Sequence, residues 1–177
     1  PRQSTLRNST LDTVRPIWEP SKERADGANI SRFMRFVREQ TGNDDIRRYS
    51  PLYDFSIRQP EKVWSLLWEF CGIRASGDFD EILVDGDKMP GARWFPGVRL
   101  NFAQNLLRHK DDRIALIARN EWGHDREFTY ADLHDQVGKL AHALREAGVG
   151  IGDRVAGFMP NIPETVIAML ATTSIGA

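Results

Sequence analysis

The stretch Arg154–Ala177, RVAGFMPNIPETVIAMLATTSIGA, decides the fold class. Val155, Ala156, Phe158 and Met159 form a short apolar run with no polar alternation. That is the pattern of a strand covered on both faces, as in parallel sheets. Met159-Pro160-Asn161 ends the strand. Pro163 suits the first turn of a helix, where its missing N–H would find no intrahelical partner anyway. From Ile162 to Ile175 the pattern is apolar on nearly every side, so this helix is expected inside a larger body, with Gly176 as its stop. Burying one Leu or Ile fully contributes about 1.5–3 kcal/mol, and the most core-like element stands at the end of the chain. The expectation is that these residues are the front part of a longer protein, whose remainder packs on them.

Immediately upstream, IALIA (114–118) reads as a buried strand, Asn120–His124 as a turn and Arg126–Thr129 as a second short strand. Thr129 and Asp132 have the spacing of a capping box at the head of a helix, ADLHDQVGKLAHALREAG, whose apolar stripe is Leu133, Val137, Leu140, Ala141 and Leu144. Strand, helix, strand, helix with short links predicts an α/β layer with a parallel sheet.

The first half reads differently. Residues 1–27 are polar and irregular, with Trp18 placed to pin them to a body. In ANISRFMRFVREQTG, Asn29 is the expected N-cap, Phe33, Phe36 and Val37 the apolar face, and Gly42 the stop. Arg32, Arg35 and Arg38 share another face, which is either a grip on phosphates or, the preferred reading, a solvated helix surface. Ser50-Pro51 opens a short helix and Gln59-Pro60 a longer one, EKVWSLLWEFCGI. Its Trp64 and Trp68 could form an aromatic box, though ordinary packing is the preferred reading. Asp85-Gly86 is expected to be a tight turn between two short strands. Asp78, Asp80, Asp85 and Asp87 lack the order of a calcium loop, and surface turn chemistry is preferred for them. Asn101 is an expected N-cap for a helix burying Phe102, Leu106 and Leu107.

Composition limits the function classes. Of 177 residues, 41% are hydrophobic and 28% charged, the balance of a folded soluble domain. A net charge of -1 leaves no basic field for nucleic acid or an anionic membrane. The only cysteine, Cys71, has no partner for an internal bridge, which fits a reducing, cytoplasmic setting. No apolar run follows the first residues, so no secretory signal is expected, and the Asn8 and Asn29 sequons are read as chance matches. The helix over 162–175 is too short to span a membrane.

Candidate chemistry is sparse. Gly148-Val-Gly-Ile-Gly-Asp153 follows a helix and opens a strand, the reverse of a dinucleotide turn, so it is read as a helix cap plus a link. His109, His124, His134 and His142 have no cysteine or carboxylate pair at metal-ligand spacing. Cys71 lies among apolar residues and is read as an inert thiol. Asn161, at the carboxyl end of the expected strand, is a candidate for lining a cleft. No residue is assigned a catalytic, cofactor-binding or metal-binding role.

Three stretches carry a resemblance. FTYADL (128–133) is similar to the first core motif of the adenylate-forming acyl-CoA synthetases, and residues 153–177 to the stretch running into their second. WFPGVRLNFAQNLLRH (94–109) resembles the signature of the acetyl-CoA synthetase branch. ANISRFMRFV together with MPGARWFPGVRLNFAQNLL looks more like the acetoacetyl-CoA synthetases than the acetyl-CoA synthetases. The resemblance implies an arm and cap over 1–109 and the start of an AMP-binding domain over 110–177. It also implies a two-step reaction. A carboxylate, here acetoacetate, attacks the α-phosphorus of ATP with Mg²⁺ bridging phosphates, and CoA thiol then displaces AMP. Such chemistry demands donors for phosphates and stabilisation of developing charge. The family's phosphate loop, its Tyr-x-x-Thr-Glu motif, its hinge aspartate and its C-terminal lysine are not in these residues, so the chain alone is expected to be inactive. Two other readings stay open: a synthetase for another short acid such as acetate or propionate, and a non-catalytic binding module.

Overall fold

A computed structural model describes residues 17–123 and 125–177. They divide into two compact units, residues 17–70 and residues from 71 onward.

In the second unit the helix α6 (Tyr130–Glu146) is opened by a full capping box. The Thr129 hydroxyl accepts from the Asp132 N–H at 3.0 Å, and the Asp132 carboxylate accepts from the Thr129 N–H at 3.0 Å. Two N–H groups that the helix leaves unpaired are thereby satisfied. The Thr129 hydroxyl and N–H hold the Asp132 carboxyl below its ordinary pKa. Strands β5 (Ile114–Ala118) and β6 (Arg126–Thr129) form the expected hairpin, antiparallel, with an irregularity between Ile114 and Leu116. The strand β5 is half-exposed, not buried, and Ile117 stands 59% open. The helices α5 (Phe102–Leu106), α6 and α7 (Pro163–Ser174) share one core of Ala103, Leu107, Leu133, Val137, Ala141, Ile167, Leu170, Ala171 and Ile175, with Leu116 and Phe128 of the hairpin against it. Asn101 does cap α5, accepting from the Gln104 N–H at 3.0 Å. The buried face of α5, however, is Ala103 and the following Leu107, while Phe102 and Leu106 are exposed. A five-residue helix presents little more than one turn, so burial there is decided by what sits opposite and not by periodicity.

The α/β class holds, as helices with small sheets. The parallel sheet does not form among the described residues. All three ladders are two-stranded and antiparallel: β1 (Ala75–Ser76) with β4 (Arg99–Leu100), β2 (Leu83–Val84) with β3 (Arg93–Trp94), and β5 with β6. Residues 154–159, expected as a strand, carry no ladder and make no backbone–backbone hydrogen bond among the described residues. Val155 and Phe158 lie open to solvent. A strand is defined by its neighbour, and no described segment runs alongside this one. Helix α7 forms within a residue of the expected range, but it is one-faced here: Pro163, Ile167, Leu170 and Ala171 are buried, and Met169 is half-exposed.

Asp85-Gly86 is not a two-residue turn. Asp85 adopts φ 57°, and residues 85–92 intervene between β2 and β3. Gly77 (φ 83°) and Gly97 (φ 92°) sit where two backbones touch, since a Cβ on Gly77 would lie 2.6 Å from the Gly97 carbonyl oxygen.

The first unit is helical. Residues 22–27, read as irregular, form the short helix α1 (Lys22–Gly27), capped by the Ser21 side chain. The helix α2 (Asn29–Thr41) starts from Ala28, so Asn29 is its first residue and not its cap; Gly42 closes it at φ 68°. Phe33 and Val37 of α2 pack with Ile46, with Leu52 and Phe55 of α3 (Tyr49–Arg58), and with Val63 and Leu66 of α4 (Pro60–Cys71). Phe70 contacts Phe33 and Phe36 with ring centroids 5.2 and 5.6 Å apart. Trp18 is 67% exposed and pins nothing; the Arg24 guanidinium lies 5.7 Å from its ring centre. The readings for residues 1–16, Asn8 included, lie outside the described residues.

Candidate functional site

The loop Met159-Pro160-Asn161 is held from below by α7. Thr165 Oγ1 and the Ile162 N–H both donate to the Pro160 carbonyl, at 2.7 and 2.9 Å. Asn161 lines an open groove of about 240 Å³ along β5, with Leu116, Arg119 and Val166. No strand end stands behind it, and it makes no side-chain hydrogen bond among the described residues, so the structure places Asn161 without giving it a partner for chemistry.

Next to this loop lies a pair that sequence reasoning missed. Arg126 of β6 donates from Nη1 and Nη2 to Oε1 and Oε2 of Glu164 at 2.7 and 2.8 Å. The two residues are 38 apart in sequence, and no local spacing announces them. The fork-to-carboxylate geometry ties the first turn of α7 to the hairpin. The guanidinium holds the Glu164 carboxyl below its ordinary pKa, and the carboxylate raises Arg126 in turn. Both side chains are 46% exposed, so the pair positions more than it stabilises.

The glycine-rich link behaves as a helix ending. Gly148 (φ 87°) follows α6 and donates to the Arg145 carbonyl at 2.9 Å. The Gly150 N–H donates to Asp153 Oδ2 at 2.7 Å, and the Gly152 N–H to the Gly176 carbonyl at 2.8 Å. The loop's N–H groups are therefore turned inward to the protein and are not offered to a phosphate.

The remaining candidates are structural. Arg38 donates to the Ile46 carbonyl at 2.8 Å, Arg35 to that of Asp26 and Arg32 to Asn29 Oδ1. The arginine face of α2 thus serves its own unit and is not a free phosphate grip. Trp64 is 47% exposed on α4, whose buried positions are Val63 and Leu66. Asp85 pairs with Lys88 at 3.0 Å. His109 meets the Tyr130 ring edge-on at 5.7 Å, and the Arg113 guanidinium lies 5.5 Å from the same ring. His124 lies outside the described residues. Cys71 is a half-buried free thiol. No three His, Cys, Asp or Glu side chains come together as a metal-ligand group among the described residues. No helix is long and apolar enough to cross a membrane among them.

The outer face of α7 faces a second groove, about 440 Å³, lined by Val155, Met159, Ala168, Met169 and Thr172 among others. Its lining residues include no ionisable side chain.

Comparison with known proteins shows what the chain is similar to. Residues 102–177 match the family model for AMP-binding enzymes, and residues 49–106 that for the acetyl-coenzyme A synthetase N-terminus. An acetoacetyl-coenzyme A synthetase of Rhizobium meliloti (strain 1021) is 40% identical over 167 residues, 94% of this chain and 25% of the relative. A malonamoyl-CoA synthetase of Penicillium aethiopicum is 37% identical over 152 residues, 82% of this chain and 21% of the relative. The solved structure of an acetoacetyl-CoA synthetase from Streptomyces lividans superposes with a TM-score of 0.79 at 37% identity, covering 92% of this chain and 25% of that one. The chain spans about a quarter of the length of the curated relatives it matches. Sequence, fold and both matched models thus agree on one likeness: along nearly its whole length this chain is a homologue of acetoacetyl-CoA synthetases, and its residues 102–177 are similar to the AMP-binding enzymes.

Proposed function

We propose that the protein to which these residues belong is an ATP-dependent acetoacetyl-CoA synthetase, and that this chain is its N-terminal scaffold. The observation that carries the reading is likeness along nearly the whole chain: 40% identity over 94% of it to one acetoacetyl-coenzyme A synthetase. The acid is acetoacetate, the cofactors are ATP, CoA and Mg²⁺, and the compartment is the cytoplasm. The Penicillium relative, named for malonamoyl-CoA, favours one alternative: a synthetase of the same branch for a different short acid.

Within that protein, residues 1–109 are the arm and cap and residues 110–177 open the AMP-binding domain; the two matched stretches meet at residues 102–106, close to this division. The glycine link between α6 and residue 154 is bonded within the protein, which supports reading it as a helix ending and not as a phosphate loop. What these residues contribute is the core of α5, α6 and α7 and the uncovered face of α7, which the remainder of the protein covers.

Acid-dependent ATP–pyrophosphate exchange tests the proposal. The chain alone is expected to show no exchange with acetoacetate. A polypeptide of the relatives' full length carrying these residues should show it with acetoacetate above acetate, propionate and malonamate. Exchange by the chain alone would overturn the scaffold reading, and a stronger response to another acid would replace the substrate.

A further inference from the structure

We propose that the groove beside α5 and α6 in the second unit binds a phosphate-bearing anion. The groove holds about 480 Å³, inside the range of small-ligand sites. Arg74, Lys110, His134 and Gln104 line it, next to the buried Ala103 and Leu107, and no carboxylate is among its lining residues.

The nearby carboxylates are engaged elsewhere. Asp111 is paired with Arg113 at 2.8 Å, Asp135 with Lys139 at 2.6 Å, and Asp132 is held in the capping box. Asp112 follows Lys110 in sequence but lies outside the lining. The side chains of Arg74, Lys110 and His134 make no hydrogen bond or ion pair among the described residues. Two permanent cations thus face one concavity without a counter-charge, an arrangement that an entering anion relieves.

The walls are set in advance. Asn105 clamps the Arg74 backbone, accepting from its N–H at 2.8 Å and donating to its carbonyl at 2.8 Å. Asn101 bridges the Gln104 N–H at 3.0 Å and the Thr173 carbonyl at 2.8 Å, and the Ser174 hydroxyl donates to Ala171 at 2.7 Å. The groove's fixed polar groups are therefore satisfied, while its guanidinium, ammonium and the Gln104 carboxamide remain as open donors. Their N–H groups outnumber what the two oxygens of a carboxylate can accept, whereas a phosphate offers three or more. The volume admits a diphosphate with part of its hydration. This inference does not rest on the acid-activating reading above.

Titrating the ¹⁵N-labelled chain with inorganic pyrophosphate at constant ionic strength tests it. Saturable shifts are expected for Gln104, for the Asn101 side-chain amide and for the His134 backbone amide, with α2 and α3 unmoved. The double variant R74Q/K110Q should weaken binding about tenfold or more while leaving the rest of the spectrum in place, and Q104A should weaken it less. ADP titrated in parallel separates two sources: equal affinity means the phosphates alone are read, tighter binding means a nucleotide-linked phosphate. Absence of saturable shifts, identical shifts with sodium chloride at matched ionic strength, or undiminished binding by R74Q/K110Q would each overturn the proposal.

Discussion

Residues 126–146 and residues 153–174 look alike on paper, each read as a strand followed by a helix, yet they fold differently. In the first, β6 has a ladder partner in β5, Thr129 and Asp132 close the helix start, and one stripe of α6 is buried. In the second, α7 forms and one face of it is buried, but the run before it pairs with nothing among the described residues, and α7 has no side-chain cap. A helix satisfies its hydrogen bonds within itself, so periodicity and a Pro at its start suffice to specify it. A strand borrows its partner from elsewhere in the protein, so an apolar run specifies burial without supplying what buries it.

The largest expected effect comes from the core that both regions share. Leu170→Ala removes a side chain that is 2% exposed, and thermal or urea unfolding should show a loss of about 2–5 kcal/mol. A loss under about 1 kcal/mol would mean that α7 is not packed on α6 as described. Thr129→Ala should cost about 0.5–2 kcal/mol, because the Asp132 N–H loses its acceptor. If Thr129→Ser does not recover most of it, the hydroxyl is not the source.

A smaller effect is expected at the tie between the two regions. The Glu164 carboxyl is held below its ordinary pKa by Arg126, so the pair's contribution is full above the unfolded-state value and fades as pH falls through the lower folded-state value. Glu164→Gln should flatten the acid side of the stability profile slightly and leave neutral pH nearly unchanged, given the exposure of both partners. The smallest effect belongs to Phe158→Ser. Phe158 is fully exposed, and its loss should change stability by less than about 0.5 kcal/mol. A penalty like that of Leu170→Ala would erase the contrast between the two regions.

Much of this was legible in the sequence where signals are local. The capping box at Thr129, the stop at Gly42, the cap at Asn101 and the bounds of α7 all follow from residues within four positions of one another. The family was legible too, through FTYADL and the WFPGVRLN stretch. What escaped were matters settled at a distance. The Arg126–Glu164 tie spans 38 residues, and the short α5 turned Ala103 inward where its larger neighbours looked better suited. The candidate site was legible least. Asn161 is a candidate only through a strand that does not form, and the side chains lining the groove proposed for a phosphate come from positions 74, 104, 110 and 134, which no spacing rule connects.

Hydrogen exchange of the chain's backbone amides, read by mass spectrometry at neutral pH, tests the central contrast directly. The account predicts that amides of residues 154–159 exchange at nearly unprotected rates while those of α6 and the buried turns of α7 are slowed by orders of magnitude. Protection of 154–159 equal to that of α6 would contradict it, because that run would then have found a hydrogen-bonded partner within the chain itself.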